Sequence, residues 1–124
     1  MSNLNKKKVI FDFGAHMGQN IDYYLSKANF VVCVEANPKL VQIIEHEFSS
    51  SIHSKRLFIE NTVVTAQESK VGMVDFYIHK KNDVLSTIIK PENEEEYSLI
   101  KIKSQSITKI INKYINNSIL LCKI

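Results

Sequence analysis

Apolar and polar positions alternate along this chain in blocks of changing period. Val9, Ile10 and Phe11 form a short apolar run between a lysine cluster and Gly14, which suits a strand buried on both faces of a parallel sheet. Ile21, Tyr24, Leu25 and Ala28 then recur at helical spacing, so a helix begins near Asn20. Residues 30–34, Phe-Val-Val-Cys-Val, are a second apolar and mostly β-branched run and predict a strand. Asn37-Pro38 reads as the start of a second helix, with Asn37 as cap and Pro38 in the first turn. Leu40, Ile43, Ile44 and Phe48 carry its apolar face, with Glu47 the polar exception.

Beyond this point the signal is weaker. The serine-rich stretch 49–54 predicts a polar linker, and residues 57–59 a third strand. Val74, Phe76 and Ile78 alternate with polar neighbours, as expected of a half-buried strand. Residues 99–103 alternate too and are expected to pair with 73–79 as an antiparallel ribbon, across a solvated acidic loop at 91–96. Ile107, Ile110, Ile111, Tyr114 and Ile115 mark an amphipathic helix, and residues 119–124 a last apolar strand. Strand, helix, strand, helix at the start argues for a right-handed βαβ unit, so the class is α/β in one domain spanning 1–124.

The turn after the first strand narrows the chemistry. Gly14 and Gly18 permit unusual backbone dihedrals and close approach of a ligand to the main chain. Glu35 ends the second strand ~20 residues further on, the spacing at which an acid meets a ribose in dinucleotide-type sites. The glycine pattern of a dinucleotide fold is nevertheless missing: His16 and Gln19 stand where G-x-G-x-x-G needs glycine, and Asn20 where a G-x-x-x-G-x-G variant needs it. No P-loop sequence is present. Asp12, at the tip of strand one, would repel a pyrophosphate crossing the turn. The same acid suits S-adenosylmethionine, whose far end carries an ammonium group and a sulfonium centre.

Residues 11–19, Phe-Asp-Phe-Gly-Ala-His-Met-Gly-Gln, resemble the first motif of the FkbM-type S-adenosylmethionine-dependent methyltransferases, and residues 34–38, Val-Glu-Ala-Asn-Pro, their second. Asn61-Thr62-Val63-Val64 is similar to the family segment near the adenine, residues 72–78 to its following strand, and Leu85-Ser86-Thr87 to its small-hydroxyl segment. Residues 106–111 resemble its helix before strand four, and residues 119–124 strand four itself. The resemblance implies a Rossmann-like class I methyltransferase sheet, mostly parallel with helices on both faces. It implies S-adenosylmethionine as cofactor, held by Asp12, Gly14, Ala15, His16, Gly18, Gln19, Asn20, Glu35, Ala36, Asn37, Thr62 and Val63. Glu35 is expected to accept both ribose hydroxyls, Asp12 to organise the turn or meet the amino-acid end, and Gln19 and Asn20 to reach the carboxylate end. A plain cap is the competing role for Asn20, and a structural turn for Asp12 and the glycines. The implied reaction is O-methylation of a hydroxyl on a sugar, glycan or secondary metabolite, so a small-molecule or glycan acceptor and no nucleic acid is the expected partner.

One departure stands out. In the family, strand four runs on into Asp-x-Glu-Gly and three further strands, whereas here the sequence stops at Ile124. A sheet incomplete at the carboxyl-terminal side is expected, from a truncated chain with the cofactor half but not the substrate half, and an apolar edge open to homodimerisation. A non-catalytic cofactor-binding remnant and, less favoured, an NAD(P)-binding oxidoreductase remain as alternatives. The catalytic base has no candidate.

Composition adds exclusions. The net charge is +3, with lysines spread over 6–8, 80–81 and 101–113 and no aromatics interleaved, which gives no nucleic-acid signature. Cys33 and Cys122 fall in predicted buried strands and read as reduced core thiols of a cytoplasmic protein. The residues before Asp12 are too poor in apolar side chains for a signal peptide, and no run reaches the ~20 residues of a membrane span, so neither is expected. Glu45-His46-Glu47 is contiguous, so its side chains diverge, and His53 and His79 lack partners at ligand spacing; no metal site or nucleophilic triad is expected.

Overall fold

A computed structural model describes residues 7–82, 86–115 and 119–123, the last five as backbone. The side chain of Cys122, and Leu85 of the small-hydroxyl segment, lie outside the described residues.

The chain builds two four-stranded sheets. The first contains β1 (Lys7–Phe13), β2 (Phe30–Val34), β3 (Leu57–Glu60) and β8 (Ile119–Lys123) in the order β3-β2-β1-β8, all parallel. Its two faces follow from strand alternation. Ile10, Val31, Cys33 and Leu57 point to one side, where Ile21 and Leu25 of α1 (Ile21–Lys27) and Ile44 of α2 (Pro38–Glu47) cover them. Val9, Phe11, Val32 and Val34 point to the other, against Ile110 of α4 (Ile107–Tyr114). Helices therefore lie on both faces. With both faces dry, β1 and β2 can be apolar at nearly every position, which is why they read as continuous runs.

The second sheet is mixed: β4 (Val63–Thr65) runs parallel to β7 (Tyr97–Ser106), which pairs antiparallel with β5 (Gly72–His79), which pairs antiparallel with β6 (Ser86–Thr87). The expected 73–79 and 99–103 ribbon forms, with Phe76 opposite Ile100 and Ile78 opposite Ser98. Phe76, Ile78 and Ile102 pack together, joined by Val63 of β4 and by Ala36 from the loop after β2. The sheet system is thus less uniformly parallel than the motif series implies, because residues 61–106 form a sheet of their own between β3 and β8.

Residues 49–54 are not a linker. Residues Ser49–His53 form α3, which follows α2 through Phe48. Serine is a modest helix former, but Phe48 and Ile52 pack onto the core of the first sheet, and that packing decides the outcome. The acidic loop contains a single 3-10 turn, Glu94–Glu96. Arg56, just before β3, closes the far end of α1: its guanidinium donates to the carbonyls of Leu25 (2.6 Å), Ala28 (3.0 Å) and Asn29 (3.3 Å). It thereby satisfies acceptors that a helix end leaves open.

Candidate functional site

The turn after β1 is held by its neighbour strand. The amides of Gly14 and Ala15 both donate to the Val34 carbonyl, at 2.8 and 3.3 Å, and Gly18 N–H donates to the Ala15 carbonyl at 2.9 Å. Three residues of the turn take positive φ: Gly14 (77°), His16 (53°) and Gly18 (81°). The two glycines do different work. A Cβ on Gly14 would meet nothing within 4 Å, so its backbone borders open space. A Cβ on Gly18 would stand 2.8 Å from Ile21 Cδ1 and 3.2 Å from Ile44 Cγ1, so Gly18 lets the turn sink against the two helices.

Glu35 is buried, 6% exposed, and anchors the site. Its Oε1 accepts the His16 N–H at 2.8 Å and its Oε2 accepts the Asn37 N–H at 2.9 Å. The glycine turn and the start of α2 are therefore tied to one carboxylate. A carboxylate offers about four acceptor positions, so these two bonds leave two open. The loop carrying Glu35 is fixed from the other side by Asn61, whose Nδ2 donates to the carbonyls of Glu35 (2.8 Å) and Ala36 (2.9 Å). Asn37 caps α2, accepting Lys39 N–H at 3.0 Å, ahead of Pro38.

These elements border a cleft of about 430 Å³. Gly14, His16, Glu35 and Ala36 form one wall, and Thr62 and Val63 the end of it. The opposite wall comes from the second sheet, with Phe76, Ser86, Thr87 and Ile88. Six of the twelve residues expected to hold cofactor thus share one cavity. Of the others, Asp12, Ala15, Gly18 and Asn37 do not line it, though Ala15 bonds to Val34, Gly18 to Ala15 and Asn37 to Glu35 through their amides. Gln19 and Asn20 are exposed at the start of α1, and the Asn20 side chain makes no capping bond. Thr62 is buried, and its hydroxyl donates to the Lys103 carbonyl (2.8 Å), locking β4 to β7. Sequence reasoning missed the wall from β6 and the bracing by Asn61. The small-hydroxyl run at 86–87 was the available signal for the first; the second leaves none.

Two groups near the turn are electrostatically unusual. Asp12 is held above the ordinary carboxylate range by burial, with the Glu35 charge adding to the rise and His16 opposing it. Its Oδ2 is buried without a hydrogen-bond partner among the described residues. Burial, with Asp12 and Glu35 nearby, pushes the Cys33 thiol up to about 12, so it stays protonated and inert at neutral pH. At the end of β3, Glu60 accepts from Lys113 Nζ (2.8 Å) and from the Tyr114 hydroxyl. Burial alone would raise Glu60, but these two donors outweigh it and hold the carboxyl below its ordinary value. Among the described residues no three histidine, cysteine or acidic side chains gather as a metal site, and no helix is long and apolar enough to cross a membrane. A larger cavity of about 600 Å³ lies at the amino end of α4, lined by none of the expected cofactor residues.

No family model matches the chain, and no solved structure matches it. It is similar to the ribosomal RNA small subunit methyltransferase A of Mesomycoplasma hyopneumoniae (strain 232), with 25% identity over 130 residues. The likeness covers 85% of this chain and 49% of the relative, so the chain spans about half the length of the protein it matches. That relative is named for action on ribosomal RNA, which overturns the expectation of a small-molecule or glycan acceptor with no nucleic acid. The chain is thus similar to an RNA methyltransferase over most of its own length, with a cleft at the carboxyl ends of β1 and β2.

Proposed function

We propose that the cleft binds S-adenosylmethionine and that the chain carries the cofactor-binding part of a methyltransferase acting on RNA. The observation that carries this reading is Glu35: a buried carboxylate at the carboxyl end of β2 that fixes the glycine turn and retains acceptor capacity beside a cavity. Ligands of open α/β sheets bind at the carboxyl ends of the strands. The order of segments resembling the FkbM family supports the methyl donor; the ribosomal RNA methyltransferase likeness supports the acceptor.

The residues present fit this cofactor. Glu35 would take the ribose hydroxyls with its two remaining acceptor positions. Gly14 would let the ligand reach the main chain, since no atom stands where its Cβ would be. Asp12, whose Oδ2 is buried without a donor among the described residues, does not line the cleft and would act on the cofactor's cationic end through its charge, not by contact. Thr62 and Val63 would border the adenine. When bound, the cofactor supplies an already activated methyl group on a cationic sulfur. The protein's part is then alignment of donor and acceptor, worth up to ~7–11 kcal/mol of the barrier where geometry is good.

The test is calorimetric titration of S-adenosylhomocysteine into the purified chain, with NAD as control. Saturable binding of S-adenosylhomocysteine and not of NAD is expected. A folded, monodisperse sample that binds neither would overturn the cofactor reading. Transfer of a labelled methyl group to ribosomal RNA then tests the acceptor.

A further inference from the structure

Beside the cleft lies a second, smaller cavity of about 210 Å³, between the start of α2 and the apolar face of the second sheet. The two are bordered by near neighbours along the same elements. Ala36 borders the cleft and Pro38, two residues on, borders the cavity. Phe76 of β5 borders the cleft and Ile78, two residues on along the same face, borders the cavity. Ile100, opposite Phe76 in the ladder, completes the floor.

The cavity combines an apolar floor with a basic rim. Ile78, Ile100 and Pro38 supply the first, and the exposed Lys39 and Lys80 the second. Among the described residues no carboxylate lines it. His79 stands at its edge, with Nδ1 accepting the amides of Lys81 (3.2 Å) and Asn82 (3.1 Å) and Nε2 lying 3.5 Å from Glu96 Oε2. Glu96 thus faces His79, and with Glu95 it borders a separate cavity that shares His79 and Lys80 with this one. The amino end of α2 adds partial positive charge to the same rim. A volume of about 210 Å³ is small beside the ~300–1,000 Å³ of a whole-ligand pocket, which fits one unit of a longer polymer.

We infer that this cavity receives one nucleotide of a single-stranded RNA acceptor, its base on Ile78, Ile100 and Pro38 and its phosphates between Lys39 and Lys80. The inference rests on the RNA methyltransferase reading above and extends it by placing the acceptor strand from this cavity toward the cleft. Bases in single strands offer an apolar face, and the backbone offers anions at each step, so this pairing of surfaces is complementary to RNA.

The experiment measures, on the same protein, binding of a fluorescent single-stranded RNA oligonucleotide across salt concentrations and calorimetric binding of S-adenosylhomocysteine. The K39E/K80E double variant is compared with a K27E/K55E control, whose lysines sit at the opposite end of the first sheet, at the carboxyl end of α1 and just before β3. The cavity variant is expected to bind RNA about tenfold or more weakly and to flatten the salt dependence by ~0.7 for each phosphate it no longer neutralises, with S-adenosylhomocysteine binding unchanged. RNA affinity unaffected by K39E/K80E, an equal loss in the control, or binding of polyglutamate as tightly as RNA would each overturn the inference. Wild-type chain that binds S-adenosylhomocysteine but not RNA overturns it while leaving the cofactor reading intact. Failure to bind S-adenosylhomocysteine overturns the cofactor reading instead.

Discussion

Glu35 accepts the backbone amide of His16 at 2.8 Å, and it does so at a residue whose φ of 53° is costly for any side chain but glycine. The bond compensates for the strain and fixes the turn on which the proposed cofactor would rest.

Glu35→Ala is therefore expected to act twice. It leaves the amides of His16 and Asn37 without their partner, which costs ~1–3 kcal/mol of folding stability for each group that water cannot reach. It also removes the acceptor for ribose. Chemical denaturation and S-adenosylhomocysteine titration on the same sample separate the two effects. A variant with wild-type stability would show that the double amide contact is not maintained in solution.

The two glycines should part company. Gly18→Ala places a methyl group 2.8 Å from Ile21 Cδ1 at a φ of 81°, and a loss of ~1–3 kcal/mol in stability is expected from overpacking alone. Gly14→Ala meets no atom, so its cost is the ~1–2 kcal/mol of left-handed backbone, and its larger effect falls on ligand affinity. Equal melting temperatures for the two variants would contradict this division.

Asp12→Asn is expected to stabilise the free chain by about 1 kcal/mol while weakening cofactor binding, since a half-buried carboxylate whose Oδ2 has no donor among the described residues is replaced by a neutral group. The pH dependence has a definite sign. Asp12 is raised in the folded chain, so the native state holds a proton that the unfolded state releases above the ordinary 3.8. Its contribution to stability consequently falls as pH rises from there through the folded value. Thermal melts of the two proteins should converge toward the acid end of that range and diverge above it.

Glu60 carries the opposite sign. Its carboxyl is held below the ordinary 4.5, so the stability it contributes is fully present above that value and is lost as pH falls through the folded one. Glu60→Gln should cost ~1.5–3 kcal/mol at neutral pH, the range for a hydrogen bond to a charged group, and little in strong acid. Urea midpoints measured at both pH values check this, because Lys113 and Tyr114 then face an acceptor that is neutral in both proteins.

The sequence was legible where its signals are local. The apolar runs of β1 and β2, the Asn37-Pro38 helix start and the spacing from Gly14 to Glu35 all lie within about 30 residues and use side-chain type as their code. The β5 and β7 ribbon was readable for the same reason: its alternation is complete within each strand. What escaped was decided at a distance. Residues 49–53 became helical because Phe48 and Ile52 had a core to join, which serine content does not announce. The pairing of β4 with β7 and of β5 with β6, and with it a cleft wall, depends on partners 8 to 41 residues apart. Glu35 was singled out from its position, but both groups it grips are backbone amides, and an amide has no letter of its own. The distinct duties of Gly14 and Gly18 likewise depend on Ile21 and Ile44, not on the glycines.

Arg56 gives the assembly of this fold an order in time. It closes the end of α1 from 31 residues further along the chain, to Leu25, and Asn61 braces the Glu35 loop only once β3 has been laid down. On a ribosome adding ~5–20 residues per second, the helix that follows the glycine turn waits roughly 2–6 s between its own synthesis and the arrival of the residue that finishes it. The nascent turn is thus built early and made rigid late.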